Sequence, residues 1–168
     1  MGEEIFKGII IGIISGIITS AIIWIMKQSV TPKVVISQNA ILNDERNVFI
    51  VKVINKTRYR LINVSCFMQY YKKIEEGYKT IELKPNVGIS PMIERYSKGD
   101  LESLYAVQYY FDNTAGFDME DNDKLVFQIA ATHPKFGTSI NMIQTYEIKS
   151  AIRKNASFFA GKRLDVQE

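Results

Sequence analysis

Two hydrophobic periods divide the chain. From Gly8 to Met26 about nineteen residues run without a charge, roughly the number that crosses a 30 Å hydrocarbon layer as a helix. Lys7 and Lys27 bracket the run, and Trp24 stands near one end, where an indole favours the headgroup zone. Ser15, Thr19 and Ser20 are its only polar residues, too few for the wet face of a globular helix. A cleaved signal sequence has a shorter apolar core and an A-x-A-like exit. Here Thr19, Ser20 and Ala21 are followed by five more apolar residues. The pattern predicts a retained transmembrane helix. Phe6 stands where a myristoylation signal needs Ser or Thr, so no lipid anchor is expected at Gly2.

After Pro32 the period becomes two. Ile62, Val64, Cys66, Met68 and Tyr70 alternate with Asn63, Ser65 and Gln69, the pattern of a half-buried strand. Tyr105, Val107, Tyr109 and Phe111 share a face, as do Leu125, Phe127, Ile129 and Ala131. Ile140, Met142, Tyr146 and Ile148 alternate with Asn141, Thr145, Glu147 and Lys149. Shorter strands are expected at 34–37, 47–54, 78–83, 87–95 and 158–166, with Pro91 pushing the fourth of these to an edge or a bulge. The segments 125–131 and 140–148 should form a hairpin across His133–Gly137. No helical stretch is long enough for a βαβ crossover, which argues against a parallel α/β fold.

The expected fold class is therefore mainly β. One N-terminal transmembrane helix (1–27) leads through a short connector (28–33) to a β domain (34–168). Six extended residues reach only about 20 Å, which holds the domain close to the membrane surface. Regular turn spacing points to an antiparallel, Ig-like β-sandwich, with a small barrel as the alternative. An immunoglobulin domain proper is excluded, because the chain has one cysteine. Lys27 and Lys33 against Lys7 favour a cytoplasmic β domain by the positive-inside bias.

Composition narrows the chemistry. One Cys and one His exclude a disulfide framework and the Cys₂His₂ or Cys₄ zinc sites. A net charge of +3 is too small for a dedicated duplex nucleic-acid binder. No metal or other cofactor is expected, and no P-loop, dinucleotide glycine motif, HExxH or GxSxG occurs. The stretch Asp118–Asp123 fails as a calcium loop, since Asp123 and Ile129 stand where Gly and an acid are required. It reads as a solvated loop. Cys66 falls on the core face of its strand and reads as an inert thiol; His133 reads as a turn residue. No catalytic residue is expected, and the chain reads as non-enzymatic.

Two features carry positive chemistry. Gly8, Gly12, Gly16 and Ser20 recur at four-residue spacing, a small-xxx-small ladder along which a second helix can approach closely in lipid. It predicts homo-oligomerisation through the helix. Lys56, Arg58, Tyr59 and Arg60 sit between two strands, where an anion can be gripped and a base stacked. The same charge also suits anionic lipid. The plan of an N-terminal membrane helix joined tightly to a small β domain is similar to that of membrane effectors of bacterial anti-phage nucleotide signalling; the likeness lies in architecture. Two functions are expected of such a chain. The first is a single-pass protein that binds a partner or ligand at the membrane surface and self-associates. The alternative is a ligand-gated, membrane-disrupting effector whose β domain senses an anionic nucleotide.

Overall fold

The computed structural model describes residues 2–97, 103–113 and 119–167, with backbone alone at 27–30. The chain divides into two units, Met1–Thr31 and Pro32–Glu168. Asp118 and the Lys27 side chain lie outside the described residues.

The first unit is helix α1, Gly2–Val30. Glu3 and Glu4 in its first turn favour the positive end of the helix dipole, and Lys7 pairs with Glu3 at 2.8 Å. These contacts carry the helix N-terminally beyond the apolar run. Gly2–Met26 is long and apolar enough to cross a membrane. Its isoleucines are exposed all round, and nothing stands within 4 Å of a Cβ built at Gly8, Gly12 or Gly16.

The second unit is a two-sheet sandwich. The first sheet is built on β3 (Val48–Asn55). Along one side β3 pairs antiparallel with β7 (Ala106–Asp112). Along the other it pairs with β1 (Val34–Ile36) and with β2 (Ala40–Asn43) at opposite ends. The second sheet is built on β4 (Leu61–Ile74). It pairs with β8 (Lys124–Thr132) on one side, and with β5 (Gly77–Leu83) and β6 (Met92–Ile93) on the other. β9 (Ser139–Glu147) pairs with β8 and forms the outer edge. The β8–β9 hairpin closes as expected: His133 N–H donates to Thr138 O at 2.7 Å, and Gly137 takes the left-handed turn position at φ 64°.

One core lies between the sheets. Phe49, Val51 and Val53 from β3 meet Met68, Phe127 and Ile129 from β4 and β8. The Phe127 ring lies 6.1 Å from Tyr109 and 6.0 Å from Phe111. Tyr146 Oη donates to Ser37 O at 2.9 Å and stitches the sheets at one side. Burial pushes the Cys66 thiol up to about 12 and raises Tyr109 and Tyr146 well above the ordinary phenol range.

Several expectations need correction. Neither sheet closes on itself among the described residues, so the barrel alternative falls. Pairing is not wholly antiparallel, because β10 (Ile152–Lys154) lies parallel to β2. A one-turn helix, α2 (Ile148–Ala151), precedes β10. More than a hundred residues separate β2 from β10, so no hairpin forces them antiparallel. The 87–95 strand shrinks to β6, as a proline run on an edge permits. The 158–166 strand is instead a small pair, β11 (Ser157–Phe158) and β12 (Val166–Gln167). In β4 the register shifts between Ile62 and Ser65, with Asn63 at φ 50°. This bulge buries Leu61 completely and leaves Ile62 half-buried.

Candidate functional site

The β3–β4 loop, residues 56–60, is held from beneath by its neighbours. Asn55 is fully buried, and its Nδ2 donates to Tyr59 O and Glu94 O, each at 2.9 Å. Its Oδ1 accepts from Thr57 N–H at 2.8 Å. Thr57 Oγ1 accepts from Lys33 N–H at 2.9 Å, and Lys56 N–H donates to Lys33 O at 2.7 Å. Tyr96 N–H donates to Thr57 O at 3.2 Å. A buried amide satisfied on this scale fixes the backbone. It leaves Lys56, Arg58, Tyr59 and Arg60 exposed on one short loop.

That loop leans on the β8–β9 turn. The Tyr59 and His133 rings meet edge to face at 4.7 Å between centroids, and Phe136 lies 5.2 Å from His133 on the far side. His133 is completely buried, so the reading as a plain turn residue is incomplete. Its Nδ1 accepts from Lys135 N–H at 3.2 Å, which in the neutral ring leaves the proton on Nε2. Nε2 has no hydrogen-bond partner among the described residues. Lys33, Arg95 and Lys135, in the segments that support the loop, are exposed as well. No ion pair among the described residues neutralises Lys56, Arg58 or Arg60. A cleft of about 350 Å³ adjoins the loop, lined by Ile54, Lys56, Tyr96 and Lys162.

Other basic side chains pack on aromatic rings or stand exposed on strands. Lys73 sits 4.9 Å from the Tyr78 ring, and Arg163 stacks 3.8 Å from the Phe159 ring. Arg153 and Lys154 are exposed on β10. Asp123 departs from the solvated-loop reading, because it is fully buried, whereas Glu120, Asp121 and Asn122 are exposed. It accepts from Tyr70 Oη, from Lys73 N–H at 2.7 Å and from Glu120 N–H at 2.9 Å. Burial raises its pKa, but these donors and the nearby Lys72 outweigh that and hold it below the usual carboxylate range.

Neither the protein-family models nor the curated proteins contain a sequence match to this chain. The sequence pattern singles out Lys56, Arg58, Tyr59 and Arg60, which are exposed, but not Lys33, Asn55, Thr57, Tyr96 and His133, which support their loop. The short polar run Asn55-Lys56-Thr57 was the available signal, since Asn and Thr at a strand end often bond their own backbone.

Proposed function

We propose that the chain is a non-enzymatic, single-pass membrane protein whose β domain binds an anionic ligand or partner at the cytoplasmic membrane surface. The observation that carries this reading is the pinned β3–β4 loop, with Lys56, Arg58, Tyr59 and Arg60 exposed and hydrogen-bonded through Thr57 to Lys33. Lys33 is three residues beyond the end of α1, a chain length of about 10 Å at most. The loop thus belongs to the end of the domain at which the chain leaves the helix. Two guanidiniums can each grip a phosphate bidentately, and Tyr59 offers a stacking face. Helices of several copies associate through Gly8, Gly12, Gly16 and Ser20, where small residues permit close backbone contact.

The cleft lined by Lys56, Tyr96 and Lys162 favours a second reading, that of an effector gated by an anionic nucleotide. Its two ammonium groups and one aromatic ring suit a nucleoside phosphate. One experiment serves both. Full-length protein in neutral-lipid nanodiscs is titrated with inorganic triphosphate and with a nucleoside triphosphate. Removing Lys56, Arg58 and Arg60 together should weaken either by at least about tenfold, or about 1.4 kcal/mol. Unchanged affinity removes the loop from the reading. Depolarisation of cells on expression selects the effector; inert membrane localisation selects the first reading.

A further inference from the structure

We infer that β9 is a homotypic docking edge, through which two copies join their second sheets into one continuous antiparallel sheet. The phase of the β8–β9 ladder decides which groups are free. His133 N–H donates to Thr138 O at 2.7 Å and Ile148 N–H to Asp123 O at 3.3 Å. The β8-facing peptides are therefore those of Thr138, Ile140, Met142, Gln144, Tyr146 and Ile148. Ser139, Asn141, Ile143, Thr145 and Glu147 aim their backbone N–H and C=O away from the sheet; of these, Thr145 O accepts from the exposed Gln144 Nε2 at 3.2 Å, a contact that a partner strand would displace. No further strand pairs with β9 among the described residues.

An open edge is usually blunted by lysine, proline or a bulge. β9, with the sequence SINMIQTYE, carries none of these and only one charge, Glu147 at its end. β5, on the opposite edge of the same sheet, carries Lys79 and Glu82. β7, on the edge of the first sheet, is partly covered by the 84–86 segment, where Asn86 N–H donates to Tyr110 O at 2.9 Å and Asp112 N–H to Lys84 O at 2.8 Å. Beside β9, three successive rows of the solvent face are uncharged, Ser65–Ala130–Asn141, Phe67–Gln128–Ile143 and Gln69–Val126–Thr145, and the next, Tyr71–Lys124–Glu147, pairs a lysine with the glutamate. Phe67 is 51% exposed and Ile143 62%.

The edge is self-complementary. Ile143 is the middle residue of the strand, so a two-fold axis through it sets Ile143 opposite Ile143, Asn141 opposite Thr145 and Ser139 opposite Glu147. All five outward residues then form hydrogen-bonded pairs, about ten backbone bonds. Glu147 meets a serine, so no like charges oppose each other. A second copy is the occupant that satisfies both the spacing and the charge. One strand edge is a small interface beside the about 1,200–2,000 Å² of stable complexes. The inference accordingly rests on the membrane-anchored reading, in which α1 confines copies to a plane and raises their effective concentration.

Cysteine cross-linking of the full-length protein in membranes tests the register. Hydrogen-bonded antiparallel partners have Cα atoms about 5.5 Å apart, within the about 4.4–6.8 Å that a disulfide spans. Ile143→Cys should give a disulfide dimer on oxidation. Thr145→Cys alone should not, because its own counterpart lies about 13 Å away along the partner strand. The double variant Asn141→Cys/Thr145→Cys should dimerise again. A yield at Ile143→Cys at least tenfold above Thr145→Cys is expected, with unsubstituted protein giving none because Cys66 is buried. Equal yields at all positions signify random collision and overturn the inference, as does absence of dimer from both Ile143→Cys and the double variant. Sedimentation with carbonate-washed membranes reports the anchor separately, and the cross-link pattern reports the register in whichever fraction holds the protein.

Discussion

Lys52, in the middle of β3, donates from Nζ to the carbonyl oxygen of Phe159 at 2.5 Å, across 107 residues of chain. The same ammonium donates to Arg163 O at 2.7 Å. Lys52 is 2% exposed, and the flanking Val48, Ile50 and Ile54 on its face of β3 are buried as well. Phe158 packs on Ile41, Val48 and Ile50 as a second, smaller core. The C-terminal segment is thus a cover on the outer face of the first sheet, held by Phe158 with Ala156 and Val166 beside it and by one cation between two carbonyls. Burial lowers the Lys52 pKa.

Lys52→Met should therefore loosen the cover more than the domain. Hydrogen bonds from a charged group contribute about 1.5–3 kcal/mol each, offset here by relief of the buried charge. Trypsin cleavage at Lys162 and Arg163 in detergent-solubilised protein should accelerate, while the main unfolding transition moves by only about 1 kcal/mol. Unchanged cleavage there means that Phe158 and its apolar neighbours alone hold the segment.

The Lys52 shift also carries a pH signature. Its folded value is lowered while the unfolded value stays ordinary. Between the two, the unfolded chain binds more protons, so this group's contribution to stability rises with pH. Unfolding of the wild type compared with Lys52→Met should show the difference moving in the wild type's favour as pH climbs through the folded value towards 10.5.

Asp123→Ala should destabilise the domain by about 1–3 kcal/mol at neutral pH, since three donors lose a buried acceptor. The folded-state pKa is depressed, so the carboxylate's contribution is complete above the ordinary value and fades as pH falls through the folded one. Thermal unfolding from pH 7 downward should show the gap between wild type and variant narrowing below about pH 4. A gap that widens in acid reverses the assignment.

Met68 is fully buried and its neighbour Gln69 half-buried on the outer face of β4. Met68→Ala should cost about 2–5 kcal/mol and Gln69→Ala about 0.5 or less. Equal losses in chemical denaturation overturn the register.

A Cβ at Gly12 meets nothing within 4 Å among the described residues, so a monomer should tolerate Gly12→Ile. Helix association in lipid depends on close backbone approach, and individual contacts contribute about 1–2 kcal/mol. The substitution should reduce helix-mediated oligomer in membranes about tenfold with insertion unchanged. Undiminished association makes the glycine ladder incidental.

Local hydrophobic pattern was enough to specify the helix and the main strands. Continuous apolarity from Gly8 to Met26 dictates a long helix, and the alternation around Cys66, Phe127 and Tyr109 dictates strands and their buried faces, because side-chain direction repeats every two residues. The exposed Lys56–Arg60 loop was legible for the same reason, as a polar break between two strands. Tertiary structure alone decided the features that depend on distant partners. Val48–Ile54 is apolar on both faces, and only the returning C-terminal segment explains why Lys52 is tolerated there. The burial of Asp123 needs Tyr70 from β4, and the stack of His133 on Tyr59 needs two loops more than seventy residues apart. Such contacts are made by chain segments brought together through the core, and no local period encodes which segments those are.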